Sequence, residues 1–140
     1  MTEDRIKKFL LGDLEEGFRK IRYAKNNIER TRASVNLYCR AERIREIYLS
    51  FLDGLEAIMS PEEDTLLRES YADASFNMCE WAKYNSGSNT PECYRVGEEI
   101  LRQIRENLPI IIQGLKNNAD SKGLEFNYFT ETLREDGIDE

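Results

Sequence analysis

The chain has 140 residues, 40% apolar and 34% charged with three prolines, a balance that suits one helix-rich globular domain and excludes a disordered or membrane-embedded chain. It contains no histidine, which removes Ser-His and Cys-His nucleophilic catalysis and histidine-ligated metals, and its three cysteines lack the spacing of a disulfide framework or a zinc finger. The net charge of −7 is uneven, because residues 1–60 hold 12 Lys or Arg against 10 acids and residues 61–140 hold 8 against 17.

The opening MTEDRIKKFLLGDLEEGF has too short an apolar run for a signal peptide and too many acids for a transit peptide. No later stretch approaches a membrane span, so the cytoplasm is the expected compartment. From Ile6 the apolar positions run through Phe9, Leu10, Leu14, Phe18, Ile21, Ala24 and Ile28, steps of three and four that predict a long amphipathic helix. Asn26-Asn27 is a soft place for it to end or bend. A second stripe, from Leu37 through Ala41, Ile44, Ile47, Tyr48, Phe51, Leu55 and Ile58, predicts a helix that starts near Ser34 or continues the first. Such stripes are core, or seams against another helix of the same or a second chain, and two of them in a small domain make a homodimer an expectation.

SPEED, Ser60 to Asp64, is a capping box. Ser60 accepts from the Glu63 amide, Glu63 reaches back, Pro61 takes the first helical position, and the acids suit the positive helix end. This helix carries Leu66, Leu67 and Tyr71 inward and is expected to end near Asp73, before a short helix built on Phe76, Cys79, Trp81 and Ala82. NSGSN, Asn85 to Asn89, reads as a turn, and Thr90-Pro91 restarts a helix along Tyr94, Gly97, Leu101, Ile104 and Leu108. Pro109 is expected to close or kink that pattern. Residues 118–140 form a tail whose Phe126, Tyr128 and Phe129 suit a last short helix or a partner, with the final six residues fraying.

Basic charge concentrates between positions 18 and 46, where nine Lys or Arg face Glu29, Glu42 and Glu46. Its functional reading is a surface for phosphates or an acidic partner, and its bland reading is a solvated helix face that offsets the acidic half. Arg40, Arg43 and Arg45 stand in consecutive turns and are the candidates if function is electrostatic. Trp81 reads as a core anchor rather than a stacking platform, Cys79 and Cys93 as packing thiols flanking the turn, and Tyr38 and Tyr48 as half-buried.

The capped helix ending in LLRESY, the short helix FNMCEWAKYN, the turn and then TPECYRVGEEILRQI resemble the C-terminal module of phage late-gene transcription regulators of the ArpU and RinA type. Those modules are similar to the sigma-factor region that reads the −35 promoter element. The resemblance covers roughly residues 41–108 and rests on NTPECYR. It implies a helix-turn-helix with its turn at Asn85 to Asn89 and its recognition helix starting at Pro91. Thr90, Glu92, Tyr94 and Arg95 would face bases and Arg102 would reach a phosphate. The recognition helix departs from the usual basic pattern, since Glu92, Glu98, Glu99 and Glu106 outnumber Arg95, Arg102 and Arg105.

Three functions follow as expectations. The first is a phage-type transcription regulator that binds DNA or RNA polymerase. The second is an acidic helical interaction protein for a basic protein partner, such as an inhibitor that imitates nucleic acid. The third, disfavoured, is a carboxylate- or metal-dependent enzyme using Glu62, Glu63, Glu98 and Glu99. No enzyme, cofactor or metal is expected. The expected fold is all-α and a single domain: long amphipathic helices over 1–59 packed on a helix-turn-helix bundle of three short helices over 60–117.

Overall fold

The first apolar stripe folds as one helical rod made of α1 (Thr2–Lys7), a π turn (Lys8–Gly12) and α2 (Asp13–Arg22). A computed structural model describes residues 2–84 and 89–121. The rod ends at Tyr23, so Ile28, expected on its buried face, is 71% exposed on the next helix. Asn26 is the N-cap of α3 (Asn27–Leu55): its side chain accepts from the Glu29 amide at 2.8 Å, and Glu29 accepts from the Lys25 amide at 2.9 Å. The second helix thus starts at Asn27 and not near Ser34, because a capping asparagine and a glutamate three residues on satisfy the orphan amides there.

A 3-10 turn (Glu56–Ile58) leads to the capping box. Ser60 Oγ accepts from the Glu63 amide and Glu63 Oε1 from the Ser60 amide, both at 3.1 Å, as the sequence predicts. The helix that follows, α4 (Pro61–Tyr84), does not end near Asp73. Its buried stripe of Leu67, Tyr71, Ala74, Met78 and Trp81 continues unbroken, and Ser75 turns its hydroxyl back to the Tyr71 carbonyl at 2.7 Å. With no glycine or proline at 72–75 and a core to cover, nothing stops the helix. The last helix, α5 (Pro91–Ser121), runs through Pro109. Leu108, Ile111, Ile112 and Leu115 bury the face on both sides of the proline, and that burial outweighs the lost backbone bond. Two long helices therefore replace the three short ones expected after residue 60.

Cross-helix pairs fix the topology. Asp13 meets Arg40, the Tyr48 hydroxyl donates to the Leu67 carbonyl, Gly97 faces Trp81, and Arg22 meets Glu98. Each helix runs antiparallel to the one before it, and α5 closes against the α1–α2 rod. This is an up-down-up-down bundle, all-α, with no strand among the described residues. The two long stripes are covered within the chain by α4 and α5, so they do not call for a second copy.

The core is one contiguous cluster. In its middle Tyr48 and Tyr71 meet edge to face with centroids 5.0 Å apart, and the Tyr71 hydroxyl donates to the Leu10 carbonyl of the π turn at 2.6 Å. Tyr48 is fully buried, not half-buried, while Tyr38 is intermediate. The turn residues 85–88 and the tail from 122 lie outside the described residues.

Candidate nucleic-acid interface

The expected recognition helix packs one side of its first turns, the side of Tyr94 and Gly97, into the bundle. Thr90 Oγ1 accepts from the Cys93 amide at 3.1 Å, so Thr90 is a cap. Tyr94 is only 7% exposed. Its ring lies 6.1 Å from Phe18 and 6.4 Å from Trp81, and its hydroxyl donates to Asn89 Oδ1 at 2.7 Å. Trp81 is a core anchor, as the sequence predicts: its Nε1 donates to the Cys93 carbonyl at 2.9 Å and its ring sits 5.1 Å from Phe18. Gly97 makes this seat possible, since a Cβ there would lie 2.4 Å from the Phe18 ring. The Tyr94 side of the helix start is thereby locked against α2 and α4, and helices α4 and α5 lie alongside each other over most of their length. A helix-turn-helix instead crosses its two helices steeply and frees the second for a groove.

Two further candidates lose the roles expected of them. The Arg102 guanidinium holds both Glu99 and Glu106, with Nε donating to Glu99 at 3.0 Å, and this keeps the Glu99 carboxyl below its usual range. Arg102 is thus occupied by acids of its own helix. Glu92 is exposed, and its charge repels phosphate. Arg95 alone of the five is an exposed cation without a carboxylate partner among the described residues.

The trio Arg40, Arg43 and Arg45 is split between two faces of α3. Arg45 turns toward α4, donating to the Ala72 carbonyl at 3.2 Å and lying 5.4 Å over the Phe76 ring. Arg40 and Arg43 line the cleft between α2 and α3. Arg40 meets Asp13 at 3.3 Å, and Arg43 meets Glu46 at 3.3 Å. Burial pushes the Asp13 carboxyl above its usual range, with Arg40 opposing that shift.

What the fold does assemble is a series of adjoining clefts that runs along the α2–α3 groove and reaches the end of the bundle where α2 finishes and α3 and α5 begin. The first, about 470 Å³, holds Arg40, Arg43 and Lys20. The second, about 560 Å³, shares Lys20 and Asn36 with it and adds Arg19, Arg32 and Tyr23. The third, also about 560 Å³, shares Tyr23 and adds Arg22, Arg95 and Asn89. The acids along this path are occupied: Asp13 by Arg40, Glu16 by Lys20 at 3.9 Å, Glu98 by Arg22 at 2.9 Å, and Glu29 by the α3 cap. Arg19, Lys25, Arg32 and Arg95 are exposed and have no carboxylate partner among the described residues. Tyr23 is 70% exposed and is shared by the second and third clefts.

Sequence reasoning included Arg19, Lys20, Arg22, Lys25 and Arg32 in a basic run but missed Tyr23 and the cleft that Arg22 and Arg95 line together. Tyr23 carried a legible signal, because it falls off the stripe that runs through Ile21 and Ala24. The pairing of α2 with α5 carried none. Among the described residues no group of three or more Cys, Asp or Glu converges on a point where a metal would sit. Of the four glutamates weighed for catalysis, Glu63 caps α4, Glu98 and Glu99 hold arginines, and Glu62 is exposed. The thiols are free, with Cys39 exposed and Cys79 buried and pushed up to about 11 by that burial. No helix among the described residues is long and apolar enough to cross a membrane. No protein-family model, curated protein or solved structure matches the chain.

Proposed function

We propose that the chain is a non-catalytic helical module that binds nucleic acid through its phosphates, at the bundle end formed by α2, α3 and α5, and serves transcription control. The observation that carries this reading is that Arg19, Arg32 and Arg95 line two adjoining clefts at one end without carboxylate partners among the described residues. Cations held this way release counterions from phosphates and bind without reading bases. The chain's overall charge of −7 opposes such binding at long range, so attraction is local and strongest within a Debye length of that end. A regulator of the phage late-gene kind remains the resemblance that motivates the transcription part of the proposal. The buried Tyr94 and the occupied Arg102 argue against α5 as its recognition helix.

The test is an anisotropy titration of labelled random-sequence nucleic acid at about 50 and about 200 mM salt. Wild-type protein is expected to bind at low salt and weaken steeply at the higher one. The triple variant Arg19→Glu, Arg32→Glu, Arg95→Glu is expected to abolish binding while its thermal unfolding stays within about 0.5 kcal/mol of wild type. Absence of binding by wild type at low salt would remove the proposal.

A second reading is favoured by one observation. The outer groove between α4 and α5 exposes Tyr84 and Val96 at 69% and 51%, flanked by Glu80 and Glu99, with Arg95 as the one cation that lines it among the described residues. Such a groove suits an amphipathic helix with basic flanks, as a basic protein partner or a subunit of RNA polymerase would offer. A pull-down with RNA polymerase, repeated with Tyr84→Ala and Val96→Asp, separates the two readings.

A further inference from the structure

We infer that the nucleic acid taken at this end is single-stranded, with Tyr23 as the platform on which an unpaired base stacks and Arg19, Arg32 and Arg95 holding phosphates on either side. The inference rests on the phosphate-binding reading above and gives it a substrate class.

Three observations carry it. The first is the state of Tyr23, an aromatic ring 70% exposed at the last turn of a helix, off the buried stripe. An exposed ring finds no packing energy in the folded protein, yet this one is not left loose. The Arg22 guanidinium lies 5.8 Å from the Tyr23 ring and 5.9 Å from the Tyr94 ring, and Glu98 anchors it at 2.9 Å. Tyr94 is itself fixed in the core, so Arg22 links an outer ring to an immobile inner one. The outer ring is presented with part of its conformational entropy already spent.

The second observation is the route. Tyr23 is the residue common to the α2–α3 cleft and the α2–α5 cleft. A backbone that follows Arg32 and Arg19 must turn over Tyr23 to reach Arg95. Duplex DNA, with a persistence length of about 150 base pairs, makes that turn only at a deformation cost, whereas a single strand bends at every nucleotide. The third observation is chemical. In a duplex the base faces are stacked on one another, so a lone aromatic platform beside phosphate-binding cations gains contact only with bases that are already unpaired. Asn36 and Asn89 line the same clefts and offer amide donors and acceptors that tolerate any base edge.

The experiment uses the full chain at low salt with three labelled probes: oligo-dT of about 12 nucleotides, a blunt duplex of the same length, and poly-glutamate. Oligo-dT is expected to bind at least about tenfold tighter than the duplex, and Tyr23→Ala to weaken oligo-dT about tenfold with little change for the duplex. Tyr23→Phe keeps the ring and is expected to restore oligo-dT binding, which a merely structural role of the hydroxyl would not allow. Because Tyr23 is exposed, the unfolding midpoint of both variants is expected to match wild type. Duplex binding as tight as oligo-dT, unaffected by Tyr23→Ala, would overturn the inference and leave the phosphate reading standing. Binding of neither nucleic acid would overturn both. Poly-glutamate bound as tightly as oligo-dT would overturn the inference in favour of an acidic protein partner.

Discussion

Two stretches of this chain are mirror images in charge and opposites in use. Residues 19–32 hold six cations and one acid; residues 53–69 hold six acids and one cation. At the acidic end the fold consumes much of the charge. Glu63 closes the capping box, Glu62 and Asp64 lie in the first turn of α4 near the positive end of its dipole, and Arg68 reaches Asp64 at 2.8 Å and Asp53 at 2.7 Å. At the basic end Lys20 and Arg22 meet Glu16 and Glu98, while Arg19, Lys25 and Arg32 are exposed without a carboxylate partner among the described residues. Charge that a fold uses internally tells about stability. Charge that it leaves outward, beside an exposed ring and clefts, tells about a partner.

The sharpest break of this contrast comes from beneath the basic end. Trp81→Ala would empty the seat shared by Phe18, Tyr94 and Gly97 and leave the Cys93 carbonyl without the indole donor. Destabilisation of about 3–5 kcal/mol is expected from urea unfolding, with loss of nucleic-acid binding because Arg22 and Arg95 depend on where α5 begins. If binding survived while stability fell by this amount, the clefts would not depend on the aromatic seat.

A smaller effect is expected at the other end. Arg68→Ala leaves Asp53 and Asp64 facing each other without their shared cation, and Asp64 is the more buried of the two at 21% side-chain exposure. The expected loss is about 1–2 kcal/mol in chemical denaturation, with oligonucleotide binding unchanged. Arg68→Lys is expected to recover only part of it, since an ammonium does not span two carboxylates as a guanidinium fork does. A change in binding with Arg68→Ala would mean that the two ends are not separate in function.

Much of the core was legible because it follows from periodicity. Ile6, Phe9, Leu10, Leu14, Phe18 and Ile21 are all buried, and so are Leu37, Ala41, Ile44, Ile47, Tyr48, Phe51 and Leu55. The capping box was legible because its bonds are local. Leu66 was misplaced: it is 52% exposed, since only one of two adjacent leucines can face the core of a helix. The run of α4 past Asp73 was not legible, because alanine and serine neither stop nor demand a helix and the deciding term is burial by other elements. The site divides in the same way. The basic run showed as composition, but which cations are neutralised depends on partners distant in sequence: Arg40 finds Asp13 27 residues away and Arg22 finds Glu98 76 residues away. Periodicity places Tyr94 on the seam of the last helix and it is buried there, against Phe18 and Trp81 from other helices; only the resemblance turns it toward bases.

The smallest effect concerns Asp13, a carboxylate of the α2–α3 groove held in a different state from those of the acidic end. Its side chain is 10% exposed, and burial raises its carboxyl above the ordinary value of 3.8 despite the Arg40 contact. A raised folded value means that the folded state holds the proton more tightly than the unfolded chain. The stabilisation linked to this group is therefore fully present below about pH 3.8 and is lost as pH rises through the folded value, so at neutral pH the charged Asp13 is a net cost. Asp13→Asn keeps the shape and removes the charge. It is expected to raise stability at pH 7 by less than about 1 kcal/mol, because Arg40, 42% exposed, is rehydrated when its partner loses charge. The gain should shrink as pH falls toward 4, and unfolding measured across that window checks it. A variant less stable than wild type at pH 7 would show that the pair with Arg40 outweighs burial. The α2–α3 groove would then, like the acidic end, use its charge to hold the fold together.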